Sequence, residues 1–327
     1  MIVDDTPFDP ALAPPPVEVL EWVPCYGCGS EARRDLVEAN DDLTGKPGAF
    51  RFVTCLDCGL AYQCPRVPPS HLPAYYDDQY VSHRRQADWG PLTPLFERAM
   101  SAHDRAKLAL VRRHLAPGPG HEVLDVGSGS GSFLQHVRRE TGARVTGVDW
   151  KDLRHLPWYE GVDLRVGLLA EQGLARGRFD LVTMWHYLEH DTDPVGSLAV
   201  ARDLLRPGDG RLVIEVPRLD SVTARLFGRR WPGLQAPQHT VLFTKEHLLR
   251  FVRAAGLEVV EHLPWGAFPP YFYLFTGAAF VLLRGRGLDL RRAIAPYFVG
   301  QALLAPLLLF ERRLNLAMQT VVCRRPG

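Results

Sequence analysis

Apolar residues recur at helical spacing over residues 96–115, and at 122–126 the pattern switches to a short apolar run of the kind a buried strand shows. The same exchange repeats down the chain. It predicts helices at 131–140, after Lys151, at 194–205 with Pro194 in the first turn, and at 245–255. Strands are predicted at 122–126, 144–149, 162–166, 178–184, 211–217, 257–263 and near 316–323. Strands alternating with helices form βαβ units, and these build a mostly parallel sheet covered on both faces, so the fold class is α/β.

Outside that pattern the chain divides by composition. Residues 1–20 are rich in Pro, Ala and Asp without periodicity and read as a flexible tail. Residues 21–66 hold turn residues and cysteine pairs, which suits a metal-held module, and 67–95 read as a linker to a main domain at 96–327. Within that domain, residues 268–313 contain two uncharged runs, PPYFYLFTGAAFVLL and IAPYFVGQALLAPLLLF, joined by RGRGLDLRR. Pro269, Pro270, Pro296 and Pro306 keep each run short of a bilayer span, so an apolar helical hairpin inserted before the last strand is expected. Such helices are covered by their own core, by a second subunit in a homodimer, or by a membrane surface, and the sequence leaves the three open.

Charge narrows the partners. Lysine and arginine number 38 against 37 acids, which removes the broad attraction that nucleic-acid binders rely on. Met1 to Pro16 carries Asp4, Asp5 and Asp9 and no apolar run behind a basic start, so a cytoplasmic location is expected, with membrane association if the hairpin meets lipid.

The segment VLDVGSGSGSF, residues 123–133, is a strand that ends at Asp125 and breaks into Gly127, Gly129 and Gly131 before a helix. Glycines allow a tight turn and close approach to a ligand, and the helix start presents unpaired N–H groups. One strand later VTGVDW places Asp149 where a carboxylate accepts hydrogen bonds from a ribose diol. A plain tight turn and a dinucleotide site are the alternatives to a nucleoside cleft.

On these residues the chain resembles the class I S-adenosylmethionine-dependent methyltransferases, with a Rossmann-like seven-stranded sheet whose last strand is antiparallel. FDLVTMWHYLEH (179–190), LLRPGDGRLVIEVP (204–217) and APQHTVLFT (236–244) extend the likeness to a bacterial small-molecule subgroup. The resemblance implies that Asp125, Gly127, Ser128, Gly129, Gly131, Asp149, Trp150 and Trp185 hold S-adenosylmethionine. After the third strand, where many relatives have an aspartate near the adenine, this chain reads VGLLAEQG, which leaves backbone groups and apolar packing at Leu168 and Leu169 for that task.

His186, Glu189 and His190 follow the 178–184 strand. In a helical turn the three share one face, at the sheet edge where ligands of open α/β folds bind. His186 is the expected base or positioning residue for the acceptor, and His239 a second candidate. The same spacing suits a divalent metal. The ubiquinone-biosynthesis O-methyltransferases, which this segment resembles, present two glutamates and a histidine there. Only Glu189 and His190 carry over, because His186 stands at the first glutamate. A structural brace is the third reading.

Cys25-x-x-Cys28-Gly29 and Cys55-x-x-Cys58-Gly59 are near-identical knuckles, and four thiolates so paired make a closed, structural Zn²⁺ site. A zinc ribbon ahead of such a domain resembles sugar C-methyltransferases and certain ribosomal-RNA base methyltransferases alike. Cys64 and Cys323 read as ordinary thiols, and Arg229, Arg230 and Trp231 as a grip for an anionic acceptor or a solvated loop. The expected function is methyl transfer to an oxygen, or secondarily a carbon, of a small-molecule, glycan or lipid-like acceptor. The alternatives are an RNA base methyltransferase and a non-catalytic S-adenosylmethionine-binding assembly protein.

Overall fold

The computed structural model describes residues 19–76, 90–284, 287–308 and 313–327. The expected tail up to residue 18 and the linker stretch 77–89 lie outside the described residues. In chain order the strands are β1 (Arg33–Ala39), β2 (Phe50–Cys55), β3 (Ala61–Gln63), β4 (Glu122–Val126), β5 (Arg144–Asp149), β6 (Asp163–Val166), β7 (Leu181–Trp185), β8 (Arg211–Pro217), β9 (Val241–Leu242), β10 (Glu258–Leu263) and β11 (Met318–Arg324). The helices are α1 (Thr93–Val111), α2 (Ser132–Thr141), α3 (Pro194–Leu204), α4 (Val222–Phe227), α5 (Lys245–Ala254), α6 (Pro270–Leu283) and α7 (Leu290–Leu308).

Seven strands form one sheet in the order β10-β11-β8-β7-β4-β5-β6, a Rossmann-like arrangement. β4 through β8 pair in parallel, and β11 runs antiparallel between β10 and β8. The central strands β4, β7 and β8 are buried except at the first residue of β4 and of β8, as a sheet covered on both faces requires. Local chemistry sets the helix starts. Asp193 caps α3 by accepting from Gly196 N–H with Pro194 in the first turn, and Thr244 caps α5 by accepting from His247 N–H. The helix expected after Lys151 shrinks to a single 3₁₀ turn at Pro157–Tyr159, because Pro157 and the short segment leave no room for a second turn.

A second, four-stranded antiparallel sheet runs β1-β2-β3-β9. Its last strand comes from the main domain, so the cysteine module expected at 21–66 does not close its own sheet. Ala61 pairs with Leu242 and Tyr62 with Val241. Two residues are too few to show a period, which is why the sequence pattern hides β9. The module's Cys25, Cys55, Leu60 and Tyr62 share one hydrophobic core with Leu124, Ile214, Phe243 and Phe251 of the larger sheet and its helices.

Of the loop read as an acceptor grip or a solvated surface, Arg229 is exposed, whereas Arg230 and Trp231 pack inward. Trp231 is buried, donates to Thr223 Oγ1 at 3.2 Å, and Arg230 pairs with the buried Asp42 of the module. The loop therefore fastens the module to α4. The apolar insertion forms α6 and α7, joined by the Tyr271 and Tyr297 rings at 5.1 Å. No helix among the described residues is long and apolar enough to cross a membrane.

Phe251 sits where the two sheets meet, edge-on to Phe243 at 5.4 Å. Phe251→Ala is expected to lower the unfolding free energy by about 3–5 kcal/mol, with module and main domain still unfolding together in one urea transition. A loss under about 1 kcal/mol, or two separate transitions, would show the two cores to be independent.

Candidate active site at the carboxyl edge of the sheet

The carboxyl ends of β4, β5 and β7 open into a cleft of about 710 Å³, within the range of small-molecule sites. Asp125, Gly127, Ser128, Gly129, Asp149, Trp150, Leu168, Leu169 and Trp185 all line it, as do His186, Glu189, His190 and His239. Gly131 does not. It is the left-handed residue that starts α2, at φ 78°, and a Cβ there would stand 2.9 Å from the Tyr159 ring. Gly127 has φ 72° and a Cβ on it would meet Tyr187 at 2.8 Å, so both positions exclude a side chain twice over.

Hydrogen bonds hold the loop between these glycines. Ser128 Oγ lies 2.8 Å from the Tyr159 hydroxyl, which donates to Gly129 O at 2.8 Å. The Asp149 carboxylate accepts from Gly129 N–H at 2.8 Å and from Lys151 N–H at 3.1 Å, which fixes the second strand's acid against the first strand's loop. Burial raises the pKa of Asp149 despite those donors. Asp125 is pushed further, to about 7, by burial first, while Lys107 and the Thr183 hydroxyl, which donates at 2.6 Å, favour its charged form.

α1 closes this end of the cleft with His103, Asp104 and Lys107, three residues that the sequence analysis did not single out. Lys107 Nζ stands 5.4 Å from the centroids of both Phe133 and Trp185. Their signal in the sequence is slight: polar residues on an amphipathic helix look alike whether they face water or a cleft.

The His-x-x-Glu-His segment departs from the single shared face expected of it. His186 has φ 54°, and that left-handed residue breaks the helical phase between it and the 3₁₀ turn Leu188–His190. Its ring turns toward β8. Nδ1 lies 3.5 Å from Glu189 and Nε2 3.2 Å from Glu215, a fully buried acid of the fifth parallel strand that sequence reasoning passed over. Burial opposes charge on this imidazole, but Glu189 and Glu215 outweigh it and hold His186 at about 9. Glu215 also accepts from Ala267 and Phe268 N–H, the start of the apolar insertion.

His190 faces the other way. Its ring lies 4.5 Å from that of His239, and one ligating atom from each of Glu189, His190 and His239 lies within 4.8 Å of the others. His190 Nδ1 is 3.0 Å from Gln238 O and His239 Nδ1 is 2.8 Å from Gly233 O. A carbonyl only accepts, so His239 Nδ1 carries the proton and its neutral ring keeps its lone pair on Nε2. His190 Nδ1 also lies 2.8 Å from the Tyr76 hydroxyl, and when it carries the proton toward Gln238 O its lone pair is likewise on Nε2. Burial lowers both imidazoles, His239 to about 3. Burial works against ionisation of Glu189 too, but the neighbouring His186 prevails and keeps its pKa below the usual value. Neither Glu189 oxygen has an aligned hydrogen-bond donor among the described residues. With His190 protonated on Nδ1, three electron-pair donors converge with no proton between them.

The far wall is apolar: Phe96 and Met100 of α1, Leu72, and Phe268, Phe272 and Tyr273 at the start of the insertion. Away from the cleft, Cys25 Sγ lies 3.4 Å from Cys58 Sγ and Cys28 Sγ 3.6 Å from Cys55 Sγ, with all four sulfurs within 4.8 Å of one another. Tetrahedral zinc with Zn–S of about 2.3 Å sets sulfurs roughly 3.8 Å apart, so the four can hold such an ion.

Comparison with known proteins identifies the family. A family model described as a methyltransferase domain matches residues 97–262. The ubiquinone biosynthesis O-methyltransferase of Burkholderia thailandensis is 31% identical over 158 residues, 44% of this chain and 67% of that protein. The protein of the same name from Aromatoleum aromaticum is 33% identical over 160 residues, again 44% and 67%. The solved geranyl diphosphate C-methyltransferase of Streptomyces coelicolor A3(2) has a TM-score of 0.45 at 16% identity, over 70% of this chain and 80% of that one. The chain belongs to the methyltransferase domain family and is a class I S-adenosylmethionine-dependent methyltransferase.

Proposed function

We propose that this enzyme methylates an oxygen, or secondarily a carbon, of a small acceptor with a substantial apolar part. The observation that carries the reading is the convergence, in one cleft, of the glycine loop with Asp125 and Asp149 on one side and Glu189, His190 and His239 on the other. S-adenosylmethionine supplies an electrophilic methyl group on a sulfonium. Asp149 accepts from the ribose hydroxyls, Asp125 and the loop take the methionine end, and Leu168 and Leu169 pack the adenine. The acceptor lies against Phe268, Phe272 and Tyr273, and alignment of its nucleophile with the methyl group accounts for most of the rate. The proton it releases passes to Nε2 of His190, which Glu189 stabilises as the ring charges.

His186 leaves the role of base, for which the sequence made it the first choice. Its charge persists at neutral pH, so it holds Glu189 and Glu215 in place instead. The similarity to O-methyltransferases supports oxygen as the attacked atom. Near-neutral charge and an apolar acceptor wall favour a small molecule over RNA. The four cysteines hold a structural zinc in this reading.

A second reading rests on the orphaned Glu189 oxygens. Imidazole and carboxylate suit a divalent cation, and ligating histidines commonly donate their other nitrogen to a carbonyl, as His190 and His239 do here. Glu189, His190 and His239 would then hold the ion and leave its Lewis acidity beside the acceptor.

Three outcomes test these assignments. With labelled methyl donor and fractionated cell extract as acceptor source, His190→Ala should lower turnover at least about 100-fold while donor affinity stays within about twofold. Unchanged turnover would remove His190 from the mechanism. Metal analysis of reduced protein should find one zinc per chain, lost in Cys55→Ser. A second divalent ion, lost in His239→Ala, would favour the alternative. Asp125 has its folded pKa raised from the ordinary 3.8 to about 7, so its contribution to stability is present below pH 4 and lost as pH rises through 7. Asp125→Asn should therefore be more stable than the native protein at pH 8, by at most about 4 kcal/mol, with the difference gone near pH 4, and should bind S-adenosylmethionine more weakly. Equal stability at pH 8 would contradict the buried charge.

A further inference from the structure

The insertion that roofs the cleft has a second face. α6 carries no charged residue, and α7 carries none after Arg292. Their inner sides pack as ordinary core, through Tyr271, Phe280, Ala293 and Ile294. On the outer side, Val281 is 50% exposed, Leu282 81%, Val299 61% and Leu303 75%. Ala295, Pro296 and Ala302 fill the outer face of α7 between them at helical spacing. An apolar strip of this kind along two helices is unusual on a surface that meets only water.

Charge decides what covers it. The connection RGRGLDLRR carries four arginines against one aspartate. Arg284, Arg291 and Arg292 are exposed at the turn end of the strip, while Asp289 is engaged at the start of α7, where it accepts from the Arg291 and Arg292 N–H groups and pairs with Arg292 at 3.3 Å. A purely apolar partner surface has no use for a basic rim. An anionic lipid surface does, since cations at the headgroups and aliphatic side chains below them are how peripheral helices hold to a bilayer. Over the described residues neither helix is long and apolar enough to span one. The strip is also continuous with the catalytic cleft, because the opposite side of α6 lends Phe272 and Tyr273 to the acceptor wall.

The geometry points to α6 and α7 as a docking surface for an anionic phospholipid bilayer, with the helices lying in its interface. The inference accompanies the proposed function but is tested apart from it, since lipid binding and donor binding have separate readouts. The full chain is sedimented with vesicles of phosphatidylcholine alone and of phosphatidylcholine with phosphatidylglycerol, and S-adenosylmethionine binding is followed in parallel by calorimetry. Binding to the phosphatidylglycerol vesicles at least tenfold stronger than to phosphatidylcholine is expected, weakening as salt is raised. Leu282→Glu with Leu303→Glu should abolish it while donor binding persists. Should that variant fail to fold, Arg291→Glu with Arg292→Glu, both on the exposed turn, should remove the preference for anionic lipid. Native protein that stays in the supernatant with both vesicles would overturn the inference. So would a dimer that the leucine variant dissociates without any change in vesicle binding, which would assign the strip to a second copy.

Discussion

The structure depends on holding carboxylates out of water along one edge of a parallel sheet. Asp125, Asp149, Glu189 and Glu215 are all buried there, and an isolated ionised carboxylate in such a place is strongly unfavourable. Each is stabilised by a different local device. Asp125 receives the Thr183 hydroxyl and the field of Lys107, Asp149 two backbone N–H groups, and Glu215 two more plus the His186 imidazolium. Glu189 has only His186 beside it and two neutral imidazoles in front. Glu189, the acid with the least help from the protein, lines the cleft.

That arrangement also explains why parts distant in sequence form one body. Glu215 ties β8 to the start of α6, so the roof over the acceptor and the histidine beside it share an anchor. The cysteine module completes its sheet with β9, the strand that follows His239, and Thr240 N–H donates to Glu189 O at 2.8 Å. The two segments that carry His190 and His239 are thereby tied together beside β9. A zinc held by the four cysteines would serve the cleft indirectly, by stiffening the scaffold on which His239 sits.

Much of the fold was legible because it repeats a simple period. The alternation of apolar runs and amphipathic stretches located the strands of the large sheet, and the glycines at 127, 129 and 131 with the following helix marked the turn after β4. What was hidden lacked either length or direction. β9 has two residues and no periodicity, and the turn at Pro157–Tyr159 was too short to be told from a helix. The site was legible as a set of residues but not as a geometry. A helical reading of His186, Glu189 and His190 put them on one face, whereas one positive φ at His186 sends its ring to Glu215 and leaves His190 with His239. Lys107 and Glu215 gave little signal, since a polar residue on a helix and an acid in a strand acquire meaning only from what the fold places beside them.

The central claim is that the loop after β4 and the acid that ends β5 form a seat for a sulfonium nucleoside. Isothermal titration of the full chain with S-adenosylhomocysteine, the demethylated product, tests it most directly. One saturable site per chain with a negative heat-capacity change, lost in Asp149→Ala, is the predicted result. Absence of any binding heat across temperatures, with the protein folded by circular dichroism, would contradict the account.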